Sequence, residues 1–214
     1  MFVNENVNER AECTVTFNGV KSCVGACLDI LNDNFYQVTL DGNKMHLSLA
    51  PYQSSLFVFG DVGSFPKQKR WSKRISQDMS FKIEIADADD LNAYTVLEEN
   101  VSELFNVSAR FPEFSGRIRY SAVFDGKELF DKKHVAIDLS DAGYACRVFL
   151  NGEDLGVRVA PPYVYDVSKK IREKENTLVI ELSNTLANKI KDGFSSRIPL
   201  RAFGLKEKPC FLTE

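Results

Sequence analysis

The chain has 214 residues, 44% of them hydrophobic and 27% charged, with a net charge of −3. That length supports one large or two small hydrophobic cores without a disulfide or metal staple. The acidic balance argues against the strongly basic domain of a nucleic-acid binder, and the longest apolar runs fall far short of the ~20 residues of a membrane-spanning helix.

In chain order, the first clear pattern is Tyr36, Val38 and Leu40 alternating with Gln37 and Thr39. Asp41-Gly42 signals a turn, and Met45, Leu47 and Leu49 then alternate with His46 and Ser48. This predicts a hairpin with one wet face. The run "SLFVF", 55–59, is apolar after its first residue, which predicts a strand covered on both faces or ending at a domain contact. Gly, Pro and charge then cluster in "GDVGSFPKQKRWSKR", 60–74. A boundary is expected there, with a small β-domain at 1–62, a linker at 63–76 and a second domain at 77–214. Lys67, Lys69, Arg70, Lys73 and Arg74 surround Trp71. Basic grooves with aromatic platforms bind single strands, but in an acidic chain the expectation is a solvated connector whose Trp packs onto a domain, with no nucleic-acid partner.

Beyond the linker, Phe81, Ile83 and Ile85 share a face, as do Ile118, Tyr120, Ala122 and Phe124, with Asp125-Gly126 as the next turn. Val135, Ile137 and Leu139 follow. Cys146, Val148 and Leu150 run into Asn151-Gly152, a pair that tolerates the positive φ of a type I′ turn, and Leu155, Val157 and Val159 return on the partner strand. After Pro161-Pro162, "DVSKKIREKEN" is long enough for one helical turn, and Leu178, Ile180 and Leu182 form the last clear strand. Many short strands with turn signals and almost no helical period predict an all-β chain: a small antiparallel β-domain followed by a β-sandwich.

The cysteines, Cys13, Cys23, Cys27, Cys146 and Cys210, are odd in number and irregular in spacing. They read as free thiols in a reducing compartment. No signal-peptide pattern opens the sequence. Both features point to the cytoplasm, an assignment that a longer native chain with its own leader would overturn.

Four stretches occur in a telling order: "FSGRIRYSAVFDG", "HVAIDLSDAGYACRVFLNGEDLG", "APPYVYDVSKKIREKENTLVIELSNTLANKIKD" and "FGLKEKPCFL". Together they resemble the galactose-binding-like jelly roll of large glycoside hydrolases, namely the family 2 sugar-binding module and the C-terminal modules of family 106 α-L-rhamnosidase-like enzymes. The resemblance covers roughly residues 75–212. It rests on the pairing of the Asn-Gly hairpin with the Glu-Asn-Thr-Leu strand. "FVNENVNERAECTVTF" and "LSLAPYQSSLFVFGD" are similar to the strands that lead into such a module, where they form a small β-domain beside the catalytic barrel. The resemblance implies that the chain is a C-terminal portion of a hydrolase, with a catalytic domain of the same polypeptide as its partner.

Chemistry leaves fewer marks. Glycoside hydrolysis usually needs two carboxylates about 5 to 9.5 Å apart. Glu113, Asp125 and Glu153 lie near strand ends or turns, where solvated carboxylates also sit. No nucleophile elbow, P-loop or zincin motif is present. His46 and His134 fall opposite the apolar series and read as surface residues. No catalytic residue is therefore assigned. "ADADDLN", 86–92, offers Asp87, Asp89 and Asp90 as oxygen donors for a hard cation, and the resemblance favours a structural calcium, whereas an acidic solvated turn is the simpler reading. A carbohydrate contact would combine aromatic faces with polar groups on loops. The candidates are Trp71, Tyr144, Arg158, Tyr163, Tyr165 and Asn184. The resemblance puts Tyr163 and Tyr165 in a loop near a substrate cleft; the competing reading is that they seal the sandwich edge. Two functions stand: a non-catalytic accessory region of a glycoside hydrolase, or a stand-alone carbohydrate-binding or protein-interaction module.

Overall fold

Turn residues cut the alternating apolar segments into short extended pieces, and in the computed structural model these pair as antiparallel strands. The structure describes residues 1–6, 9–29, 34–51, 53–67, 71–140, 142–190 and 202–214. Lys69 and Arg70 of the basic stretch lie outside the described residues. The chain divides into two compact units, Met1–Arg70 and Trp71–Glu214. Among the described residues, no helix is long and apolar enough to cross a membrane.

The first unit contains β1 (Phe2–Val3), β2 (Ala11–Thr16), β3 (Val24–Asp29), β4 (Asn34–Thr39), β5 (Lys44–Leu49) and β6 (Ser54–Phe59). One sheet runs β1-β6-β3-β4, and β2 pairs with β5. Asp41-Gly42 does form the expected turn, closed by Lys44 N–H donating to Asp41 O at 2.9 Å. The strands on either side of it then part. β4 joins β3, and β5 joins β2. Alternation shows which face a strand buries, not which strand lies beside it, so the hairpin expectation fails here. The core of this unit is thin: Ala26, Cys27, Leu40, Leu47 and Leu49 are buried. β6, whose last four residues are apolar, lies inside its sheet, yet Val58 is 47% exposed and Phe57 and Phe59 are half-buried.

The second unit is a sandwich. Its strands are β7 (Lys73–Ser76), β8 (Phe81–Asp87), β9 (Thr95–Val101), β10 (Gly116–Asp125), β11 (Val135–Asp138), β12 (Ala145–Leu150), β13 (Glu153–Arg158), β14 (Val164–Asp166), β15 (Glu175–Ser183) and β16 (Cys210–Thr213). A six-stranded sheet, β13-β12-β15-β10-β8-β9, faces a four-stranded one, β14-β11-β16-β7. Every second residue of β10, from Ile118 to Phe124, enters the core with Leu178, Ile180 and Leu182 of β15. Val135 and Ile137 of β11 and Phe211 of β16 meet them from the other side; the Phe124 and Phe211 rings lie 4.9 Å apart. β7, inside the stretch expected as linker, pairs with β16. Two one-turn helices, α1 (Val107–Arg110) and α2 (Ala187–Ile190), are too short to show in a helical period. In the segment expected to form a helical turn, Lys170 N–H donates to Val167 O at 2.9 Å, a single turn without a helix.

The Asn-Gly hairpin forms as expected, with φ of 54° at Asn151 and 83° at Gly152. Its return strand departs from the expectation. Leu150 faces Glu153 and Phe149 faces Asp154, but Arg147 faces Val157 and Cys146 faces Arg158. One extra residue therefore sits in β13, at Leu155-Gly156, where Gly156 takes a φ of 91° that favours glycine. A one-residue slip reverses every side chain beyond it. Val157 and Val159, expected in the core, are 56% and 72% exposed, and Arg158 turns inward at 6%.

Three asparagines lock this arrangement. The fully buried Asn176 accepts from Arg172 N–H at 2.8 Å and Asn151 Nδ2 at 3.0 Å. Its amide donates to Arg172 O and Lys174 O. Asn151 also accepts from Thr177 N–H at 3.0 Å, tying the hairpin to the start of β15. At the far end of β15, Asn184 accepts from Gly116 N–H at 2.8 Å and donates to Phe114 O at 2.9 Å.

Two substitutions test the register. Val148→Thr puts a hydroxyl into the core and is expected to cost about 2 kcal/mol, whereas Val157→Thr should stay within about 0.5 kcal/mol of wild type. Urea denaturation gives both values, and equal costs would place Val157 inside. Asn176→Ala removes four hydrogen bonds to partly buried backbone and side-chain groups and is expected to cost about 2 kcal/mol by the same measurement; a cost under about 0.5 kcal/mol would contradict the lock.

Candidate functional site

The slip of β13 turns one of the proposed sugar contacts, Arg158, inward. Tyr163 and Tyr165 are 2% and 1% exposed, with both rings in the sandwich core. The Tyr165 hydroxyl donates to Cys146 O at 2.7 Å, and burial pushes its pKa well above the usual tyrosine range. The Arg158 guanidinium carbon lies 4.9 Å from the Tyr165 ring centroid, a cation–π contact inside the protein. Tyr144 is half-buried, edge-on to Phe203 at 5.2 Å. Trp71 packs on Ala136, Cys210 and Leu212, on the outer side of the four-stranded sheet. Asn184 spends its amide on the backbone at the start of β10. The structure thus joins Arg158 to Tyr165 but scatters the six candidates over the core, one sheet face and a strand end.

The charge of the aspartate loop is partly offset from within the chain. The Lys189 ammonium of α2 lies 2.7 Å from Asp87 Oδ1 and 2.5 Å from Asp89 Oδ2. Asp87 also accepts from Asp89 N–H, and Asp90 from Asn92 N–H, each at 3.0 Å. No group of three or more His, Cys, Asp or Glu side chains able to hold a metal ion occurs among the described residues. The carboxylates considered for catalysis include two with local structural partners: Glu153 pairs with Lys170, and Asp125 caps Lys127 N–H at 2.8 Å. His46 is exposed, and His134 Nε2 lies 3.7 Å from Glu214 Oε2. Cys13 and Cys23 are exposed free thiols, while Cys27, Cys146 and Cys210 are buried; burial pushes the Cys146 thiol up to about 12.

One polar constellation was not singled out from the sequence. On the outer face of the six-stranded sheet, Arg147, Glu181, Arg119 and Glu84 stand side by side on β12, β15, β10 and β8. Arg119 donates twice to Glu181 Oε1, at 3.0 and 2.8 Å, and the Tyr94 hydroxyl donates to the same oxygen at 3.1 Å. The Arg119 guanidinium lies 3.6 Å from the Tyr94 ring centroid, and burial holds the Tyr94 hydroxyl above the usual tyrosine range. Charges at alternate positions of paired strands are the sequence signal that would have revealed it. Arg119, Glu181 and Tyr94 satisfy one another, while the flanking charges have neighbours of their own, Arg147 pairing with Asp154 at 2.6 Å and Glu84 with Lys82 at 2.8 Å, so this face is a row of charged pairs across four strands. A depression of about 630 Å³ lies at one end of β10 and β15, lined by Val123, Phe124, Asp125, Lys127, Glu173 and Glu175 among others.

The fold defines a class, an all-β chain of antiparallel sheets with a β-sandwich. Among solved structures the chain is similar over 99% of its length to a rhamnosidase from Novosphingobium sp. PP1Y, at 20% identity and a TM-score of 0.66, spanning 22% of that chain. Weaker likenesses are a β-glucuronidase from Dictyoglomus thermophilum, at 16% identity and a TM-score of 0.41 over 70% of this chain and 29% of that one, and one from Ruminococcus gnavus, at 17% and 0.40 over 56% and 23%. These structural neighbours are glycoside hydrolases, and the likeness to the rhamnosidase is a likeness of fold. No family model and no curated protein matches the chain.

Asp87 offers a direct check on the loop. The Lys189 ammonium, followed by the Asp89 amide, holds its carboxyl below the usual aspartate range. A depressed folded pKa stabilises the fold above the ordinary range, and that stabilisation is lost as pH falls through the lowered value. Lys189→Met is therefore expected to raise the Asp87 midpoint, read by NMR titration of its carboxyl carbon. An unmoved midpoint would mean that the Asp89 amide alone sets it.

Proposed function

We propose that this chain is a non-catalytic accessory region of a glycoside hydrolase: a galactose-binding-like jelly roll preceded by a small β-domain. It supports a catalytic domain carried elsewhere in the same polypeptide. The observation that carries this reading is the single likeness running across both units, 99% of this chain set within 22% of a rhamnosidase. The side chains support it too. Asn151, Asn176 and Asn184, which stand in the stretches that carry the sequence resemblance, are spent on holding strands. Glu153 and Asp125 have structural partners, and Tyr163 and Tyr165 are core residues.

Turnover tests the absence of chemistry. Assayed against a panel of chromogenic α- and β-glycosides, including rhamnosides and glucuronides, the 214-residue chain is expected to release product at the rate of the buffer blank. Release that a single substitution such as Asp125→Asn or Glu173→Gln abolishes would overturn the reading and make the chain an enzyme.

A further inference from the structure

We propose that the first unit carries a shallow subsite for a pyranoside, built on the ring of Phe59. β3 and β6 are neighbours, with Gly25 opposite Phe59. Because they run antiparallel, the segment entering β3 and the segment leaving β6 emerge at the same end of the sheet. Between those segments lies an open depression of about 840 Å³, lined by Lys21, Ser22, Val24, Phe59 and Asp61 together with neighbouring glycines. Small-molecule sites span roughly 300–1,000 Å³.

The platform is held from two sides. A Cβ on Gly25 would come within 2.5 Å of Phe59 Cδ1, so glycine alone lets the ring lie against the strand. Phe17 packs beside it at 4.7 Å between centroids. Phe59 nevertheless remains only half-buried. Around it stand an ammonium donor, Lys21, and a carboxylate acceptor, Asp61, both exposed. The Ser22 hydroxyl is already oriented, donating to Val24 O at 3.0 Å and accepting from Val24 N–H at 3.2 Å, so its oxygen has one further lone pair to offer a ligand.

The mix of groups selects the ligand class. A purely apolar molecule would cover Phe59 but desolvate Lys21 and Asp61 without replacing their water. A small anion would meet Asp61, and a small cation would meet Lys21. A pyranose has a face of C–H groups to lay on the ring and an edge of hydroxyls that both donate and accept, so it satisfies all three groups together. The subsite goes beyond the accessory role, which needs no ligand, and does not rest on it.

Saturation-transfer NMR on the full 214-residue chain tests the proposal, with methyl α-L-rhamnopyranoside and methyl β-D-glucopyranoside as probes. The expected result is transfer to the ring C–H protons of at least one probe, with a Kd on the order of 1 mM. Phe59→Ala should weaken it about tenfold. Asp61→Asn, at an exposed position, should weaken it several-fold with the fold intact, and it keeps the test sound if Phe59→Ala unfolds. No transfer to either probe, or transfer that survives Asp61→Asn unchanged, overturns the subsite. So does a concentration-dependent dimer that Phe59→Ala dissolves, because the ring would then be a protein contact. None of these outcomes bears on the glycoside-turnover test.

Discussion

The sandwich depends on keeping β15 in register, and asparagine amides do that work at both ends, Asn176 fully buried and Asn184 half-buried. At the start of the strand, Asn176 bonds four times to Arg172, Lys174 and Asn151. At its finish, Asn184 closes on Gly116 and Phe114. β15 lies between β12 and β10 in the larger sheet. A slip of one residue would turn Leu178, Ile180 and Leu182 out of the core and bring Thr177, Val179 and Glu181 in. Backbone ladders alone tolerate such slips; a buried amide with every donor and acceptor matched does not.

That constraint explains what could be read from the sequence. Alternation exposed the strands of the second unit, and Asn-Gly exposed the hairpin, because both are local. Partnership is not local. β4 and β5 meet at Asp41-Gly42 and then join different partners, and nothing in their alternation tells a hairpin from two strands that separate. The bulge in β13 left a single trace, Gly156, and one inserted residue exchanged the sides of Val157 and Arg158. Tyr163 and Tyr165 follow two prolines in a segment that looks like an exposed loop, but both rings belong to the core. Arg158, Tyr163 and Tyr165 lie near turns, where polar and aromatic residues usually face solvent, yet the fold places all three inside.

The same logic bears on function. The asparagines within the stretches that resemble other modules are the residues that hold the strands, so they carry information about fold and little about chemistry. The charged row of Arg147, Glu181, Arg119 and Glu84 is likewise spent on structural pairs, Arg119 with Glu181, Arg147 with Asp154 and Glu84 with Lys82. Open chemistry is left where the core is thin, in the first unit, where half-buried phenylalanines meet loops with free space beside them. An accessory region fits this division, with one well-built sandwich and one lighter unit.

The measurement that bears most directly on the accessory role is the intact mass of the native protein, captured by antibody from the cells that make it and read by mass spectrometry. The account predicts a polypeptide several times the 24.1 kDa of this chain, with these residues forming part of it. A product of 24.1 kDa would contradict it and leave a module that acts alone.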